Sequence, residues 1–296
     1  MSNLSDLIPA GGGQNNTDFV ADGGITSGKP VILTAAGKAA PIAGVTGSSG
    51  TPVVFESAQS GYISATFDSD SNKVVIAYAD QGSSSYGTAV VGTVSGDAIS
   101  YGTPVVFESA ATAYESATFD SNSNKVVIAY RDDGNSDYGT AIVGTVSGTA
   151  ISFGSAAVFE SATSREISTT FDSNSNKVVI VYQDAGNSTY GTSIVGTVSG
   201  TAISFGTAVV FEAAGTQHTS CAFDSDANKV VISYQDQGNS NYGTGIVGTV
   251  SGTAISFGTA VVFATTDTSE YNSCAFDSSA NRVVIAYQDD ANYDYG

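Results

Sequence analysis

His218 is the only histidine in the chain. A serine–histidine–aspartate relay needs an imidazole between a hydroxyl and a carboxylate, so His218 is where such a relay would have to centre. It stands by itself shortly before Phe223-Asp224, with no Gly-x-Ser-x-Gly, His-Glu-x-x-His or phosphate-loop phrase elsewhere in the chain. It therefore reads as structural. Glycoside hydrolysis needs two carboxylates in unlike surroundings. The aspartates here nearly all recur once per repeat, so they read as parts of the repeat, and the expectation is a protein without catalysis.

Two short phrases offer oxygen ligands at alternating positions: Asp68-Ser69-Asp70-Ser71-Asn72 and Asp224-Ser225-Asp226-Ala227-Asn228. Asp68, Asp70, Asn72, Asp224, Asp226 and Asn228 are weak calcium candidates. The loop glycine and the closing glutamate of an EF-hand are missing. The plainer reading is that Asp68, Asp120, Asp172, Asp224 and Asp277 each cap the turn they open. No other cofactor is expected. Cys221 and Cys274 occupy equivalent places in neighbouring repeats and lack further ligands for zinc. They read as free thiols packed as small apolar groups, too far apart for a disulfide.

Tyr86, Tyr138, Tyr190, Tyr242 and Tyr295 each close a loop of Asp, Asn, Ser and Gly. Tyrosines among short polar residues make adaptable surfaces for sugars or proteins, and packing between repeats is their plainer role. The copies differ most at Gln59–Tyr62, Thr112–Glu115, Ser164–Ile167, Thr216–Thr219 and Thr268–Tyr271. Variation inside a uniform repeat marks exposed positions, so these segments are a second candidate contact face.

The repeat sets the elements that carry these residues. Phe-Asp recurs at Phe67-Asp68, Phe119-Asp120, Phe171-Asp172, Phe223-Asp224 and Phe276-Asp277, at intervals of 52, 52, 52 and 53 residues. Copies run near 51–109, 110–161, 162–213, 214–264 and 265–296. Within one copy the pattern predicts strand a over Ser116–Phe119, b over Lys125–Tyr130, c over Thr140–Val146 and d over Ala150–Phe159. A short Asp/Ser/Asn turn joins a to b, and Ser147-Gly148 joins c to d. The fold class expected is all-β: a β-propeller of five four-stranded repeats, the last incomplete, with a small N-terminal β or extended segment. The last copy breaks off inside the Tyr-Gly-Thr phrase. This reads as an array cut within a blade, or as a blade completed by Thr51–Phe55. Lys29–Thr34 and Ala39–Gly44 can pair as a hairpin.

Composition excludes several partners. With 9 basic against 28 acidic residues the formal charge is −19, which repels phosphate backbones and anionic bilayers. No apolar run is long enough to span a membrane, and the first residues lack a Sec leader's basic start and apolar core.

The string Leu4-Ser5-Asp6-Leu7-Ile8 through Phe19-Val20 to Gly44 resembles the N-termini of virion proteins from marine tailed phages, cyanophages among them. The repeated phrase, which runs from Asn124 to Gly154 in the second copy, resembles repeats of fibre-like proteins from such phages. The resemblance implies a non-enzymatic structural protein of the phage particle, a tail fibre or decoration, located in the virion and homo-oligomeric there. Residues 1–50 would anchor it on other virion proteins, with Leu4, Leu7, Ile8, Phe19 and Val20 as anchor residues, and 51–296 would display the propeller for host attachment. The alternative is a secreted or cell-surface bacterial propeller that binds glycans.

Overall fold

The computed structural model describes residues 31–33, 39–41, 50–265 and 269–289. The chain divides into two units, residues 1–50 and 51–296. In the first, β1 (Val31–Leu33) and β2 (Ala39–Pro41) pair antiparallel, as the hairpin reading expects. The anchor candidates Leu4, Leu7, Ile8, Phe19 and Val20 lie outside the described residues.

The second unit is all-β, with single 3-10 turns such as Asp133–Asn135. Its first repeat holds β3 (Ser60–Asp68), β4 (Lys73–Asp80), β5 (Tyr86–Ser95) and β6 (Ala98–Tyr101). Then follow β7 (Val105–Asp120), β8 (Lys125–Asp132), β9 (Tyr138–Ser147) and β10 (Ala150–Phe153). The third repeat has β11 (Ala157–Asp172), β12 (Lys177–Asp184), β13 (Tyr190–Ser199) and β14 (Ala202–Phe205). The fourth has β15 (Val209–Asp224), β16 (Lys229–Asp236), β17 (Tyr242–Ser251), β18 (Ala254–Phe257) and β19 (Val261–Ala264). The last described pair is β20 (Ser269–Asp277) and β21 (Arg282–Asp289). Every pairing is antiparallel, and no register among these strands joins β19 or β21 to β3.

Two features differ from the sequence reading. Strand d is broken: β10 pairs with the end of β9, and after Gly154 the chain resumes as the start of β11 on the beginning of β9. Strand d also does not turn before the next strand a. β11 pairs with β9 through Thr163 and with β12 from Ser164 onward. One 16-residue strand thus closes one sheet and opens the next. Thr51–Phe55 is outside any strand. Its counterpart Val105–Phe107 pairs with β5, and no described strand offers that partner to Thr51–Phe55.

Successive sheets pack face to face, which makes the arrangement propeller-like. The Val-Val-Ile run of strand b serves both faces. Val126, Ile128 and Tyr130 pack with Val75, Ala77, Ala89 and Val91 of the preceding repeat. Val127 and Ala129 turn the other way, onto Val178, Ile180 and Tyr182 of the next. A strand covered on both sides reads as a continuous apolar run rather than an alternation. The buried tyrosine of strand b keeps its hydroxyl satisfied by the glutamate of the long strand: Tyr182 Oη donates to Glu160 Oε2 at 3.1 Å and Tyr234 Oη to Glu212 Oε2 at 3.0 Å.

Neighbouring a strands are joined by a serine rung. Ser64 Oγ accepts the amide of Ala117 at 3.0 Å, Ser116 that of Thr169 at 2.9 Å, Ser168 that of Cys221 at 3.1 Å, and Ser220 that of Cys274 at 2.9 Å. Strand a has strand b on only one side, so these amides face its open edge, and the rung supplies the acceptor. Further out, the glycine at the break in strand d lies against the next repeat's c–d turn. A Cβ on Gly154 would sit 2.0 Å from the carbonyl oxygen of Thr201, and Gly102 and Gly206 meet Thr149 and Thr253 the same way. Gly258 meets only Val247 O, at 3.8 Å.

Two outcomes follow. Gly154→Ala should cost about 1–3 kcal/mol of unfolding free energy, as overpacking does, whereas Gly258→Ala should cost well under 1 kcal/mol on the same denaturant titration. Equal effects would refute the inter-repeat clash. Ser168→Ala should strand the Cys221 amide and cost about 1–3 kcal/mol, read by the same titration.

Candidate functional site

The variable segments do not precede strand a. Apart from Gln59, their described residues lie within it, at a bulge. In β3 the register jumps between Gly61 and Ser64, and the same jump recurs at Ala113/Ser116, Arg165/Ser168, Gln217/Ser220 and Glu270/Ser273. The extra residue bends the strand and aims a side chain away from the ladder. At each bulge one residue is left-handed: Tyr62 at φ 48°, Tyr114 at 57°, Glu166 at 50°, His218 at 50° and Tyr271 at 49°. None is a glycine or asparagine, the types that take this conformation readily, and holding each there costs of order 1–3 kcal/mol. The same bulge holds the strain in all five copies.

These five residues form a row across the repeats. The rings of Tyr62 and Tyr114 lie 5.0 Å apart, as do those of His218 and Tyr271. Glu166 links the pairs: its Oε2 accepts the backbone amide of His218 at 2.9 Å, and its backbone carbonyl accepts the Thr219 hydroxyl. Burial, and then the charge of Glu166, raise the Tyr114 pKa. Arg131 lies over the Tyr114 ring, Cζ 5.2 Å from the centroid, held by Asp133 at 2.6 Å. The row presents aromatic faces, one carboxylate, one imidazole and one guanidinium. Tyr62 and Tyr271 at its ends are exposed.

Beneath it, at the residue after each left-handed one, Glu115 is buried where the other copies have Ile63, Ile167, Thr219 and Asn272. Thr112 Oγ1 donates to its Oε1, and its Oε2 has no hydrogen-bond partner. Burial pushes the Glu115 carboxyl up to about 7, against the pull of Thr112.

The other candidates are placed differently. Asp68 Oδ1 accepts the amides of Asp70 and Ser71 at 3.0 and 3.1 Å, and its Oδ2 the Ser71 hydroxyl at 2.6 Å. Asp224 accepts the amides of Asp226 and Ala227 at 3.0 and 2.9 Å. These are the turn caps read from the sequence. Asn72 and Asn228 take the left-handed positions at φ 56° and 54°, which suits asparagine. Asp70 and Asp226 are exposed. Among the described residues no three His, Cys, Asp or Glu side chains converge as a metal site would require. Tyr86, Tyr138, Tyr190 and Tyr242 open strands β5, β9, β13 and β17 and are half-buried there; Tyr295 lies outside the described residues. Cys221 is buried and Cys274 half-buried, and both are free.

Sequence reasoning marked the variable segments but took His218 as an isolated structural residue. The overlooked signal was register: Tyr62, Tyr114, Glu166, His218 and Tyr271 share one place in the repeat and are its bulkiest or most polar variable residues.

No family model matches the chain, and no curated protein matches it. Among solved structures, it is similar to a protein of unknown function from Dyadobacter fermentans, with a TM-score of 0.55 at 11% identity over 77% of this chain and 75% of that one. Looser likenesses are the SapL1 lectin in complex with alpha methyl fucoside, TM-score 0.47 at 13% identity over 77% and 71% of the two chains, and an exo-beta-1,3-galactanase from Phanerochaete chrysosporium, TM-score 0.49 at 9% identity over 83% and 64%. The first likeness concerns the fold alone, and the other two are too loose to carry a functional conclusion. None of the three is a phage protein.

The raised Glu115 pKa has a checkable consequence. The native carboxyl keeps its proton where the unfolded chain, near the ordinary 4.5, has lost it. The stability this group contributes is full below that value and falls as pH rises through about 7, by about 3 kcal/mol at most. Glu115→Gln should remove this dependence: its stability advantage over the native chain should grow between pH 5 and roughly pH 8 in urea titrations. An advantage that stays constant across that range would show that the carboxyl titrates normally.

Proposed function

We propose that the repeats are blades of a β-propeller and that the protein binds glycans without catalysis, through the bulge row of Tyr62, Tyr114, Glu166, His218 and Tyr271. The observation that carries this reading is the row itself. Five residues with strained, left-handed backbones occupy the variable places of an otherwise uniform repeat, two ring pairs among them meet, and Glu166 holds the His218 amide between the pairs. Backbone strain maintained by surrounding packing clusters at ligand-contact sites. Aromatic faces suit the apolar face of a sugar ring, while Glu166, His218 and Arg131 offer hydrogen bonds to its hydroxyls. The charge of −19 favours neutral or cationic glycans over acidic ones.

This reading takes the place of the virion-fibre one as the leading function. Attachment of residues 1–50 to a phage particle rests on the N-terminal resemblance and is a separate proposal. The two are compatible, because a particle protein can contact a host glycan.

The test is binding of the full chain to an array of neutral oligosaccharides, followed by calorimetry with the best ligand. Tyr114→Ala and the Tyr62→Ala/Tyr271→Ala pair should each weaken binding at least tenfold, about 1.4 kcal/mol, with the unfolding midpoint of the double variant unchanged. Tyr138→Ala should bind as the native chain does. Loss with Tyr138→Ala but not with the bulge variants would move the site to the b–c loops. An array without any ligand would remove the glycan reading.

A further inference from the structure

An acid and a cation come together in the second repeat alone. Where it has Glu115 the other copies have Ile63, Ile167, Thr219 and Asn272, and where it has Arg131 they have Ala79, Gln183, Gln235 and Gln288. Register brings the two places side by side. Ala113 pairs with Arg131 before the bulge and Ser116 with Ala129 after it, so Tyr114 and Glu115 fall opposite Tyr130. The carboxyl there is poorly provided for. Glu115 is 6% exposed, its Oε1 accepts the Thr112 hydroxyl, and its Oε2 has no partner. A protonated carboxyl tolerates such a place, whereas an ionised one needs a cation or several donors.

The groups around that carboxyl are few. β8 presents Arg131 and the Tyr130 hydroxyl, and the b–c turn presents Asp133. β3 and β11 present Tyr62, Arg165 and Glu166 to the neighbouring Tyr114. Arg131 favours ionisation of Glu115 and Asp133 opposes it. The Arg131 guanidinium is engaged elsewhere: its Nε and Nη2 donate to Asp133 at 2.6 and 3.2 Å, and it lies over one face of the Tyr114 ring. Asp133 is exposed. An ion pair at an exposed carboxylate contributes little, while a buried carboxylate without a partner is costly. Once Glu115 ionises, the balance therefore favours moving the guanidinium from Asp133 to Glu115.

We propose that Glu115 and Arg131 form a proton-driven switch within the bulge row. With the carboxyl protonated, the guanidinium stays on Asp133 and covers Tyr114. When the carboxyl releases its proton to solvent, the guanidinium turns to Glu115 Oε2 and uncovers the ring. Burial, which pushes the carboxyl up to about 7, puts the change near neutral pH. The switch stands apart from the glycan reading, because it needs no ligand. For any ligand that stacks on Tyr114, it makes binding tighter above neutral pH than below it.

Magnetic resonance of the arginine side chains in the full 296-residue chain tests this. The arginines are Arg131, Arg165 and Arg282, and Arg131→Lys identifies the Nε signal that belongs to Arg131. From about pH 5 to about pH 9, the Arg131 Nε shift should move in one protonation step with its midpoint near 7. Glu115→Gln should abolish the step. Asp133→Asn removes both the rival partner and the charge that opposes ionisation, so the step should move to lower pH. Asp133 is exposed, so this second variant keeps the test open should Glu115→Gln lose the native amide spectrum. An Arg131 shift that stays flat across the range overturns the proposal. So does a step that survives in Glu115→Gln, which would belong to another group, or a midpoint that Asp133→Asn leaves in place.

Discussion

The rest of the structure depends on a single hydrogen bond repeated from copy to copy. A serine hydroxyl on strand a accepts an amide of the next strand a, at 2.9–3.1 Å in each case. Strand a is an edge, and an edge amide without an acceptor is costly once water is excluded. The rung removes that cost and also sets how closely adjacent repeats approach. Everything between the sheets then has a fixed gap to fill: the Val-Val-Ile run of strand b, tyrosine with its hydroxyl on a glutamate, and glycine wherever backbone meets backbone.

The rung also explains the row of bulge residues. The serine lies two positions beyond the left-handed residue, so the spacing between neighbouring strands is set beside the bulge. Side chains projecting there inherit that spacing, and the ring pairs Tyr62/Tyr114 and His218/Tyr271 each meet at 5.0 Å. The scaffold thus decouples position from identity. Tyrosine, glutamate and histidine can be exchanged at the bulge without changing where it points, and this is how a uniform repeat carries a non-uniform contact surface.

Acidity is managed by turns and by burial. The aspartates at the a–b turns spend their carboxylates on their own backbone amides. The glutamates of the long strands take the tyrosine hydroxyls, and burial raises their pKa values. Glu115 is the exception. It stands at an otherwise apolar or neutral position, one of its oxygens is unpaired, and its carboxyl is pushed towards neutrality.

Much of this was legible from the sequence. The 52-residue period, the Val-Val-Ile strand, the capping aspartates and the two free thiols follow from local pattern, because a turn or strand is specified by residues near one another. The segments that vary between copies were legible too. Their geometry was not, because the left-handed bulge at Tyr62, Tyr114, Glu166, His218 and Tyr271 is imposed on residues whose own preference is otherwise. The serine rung and the clearance at Gly154 join residues about 50 apart, and the continuous 16-residue strand is defined by pairing with two different sheets. The role of such a residue depends on what the neighbouring repeat places against it. The sequence by itself determined what recurs in each repeat, and only the packing of one repeat on the next decided which of those residues face each other.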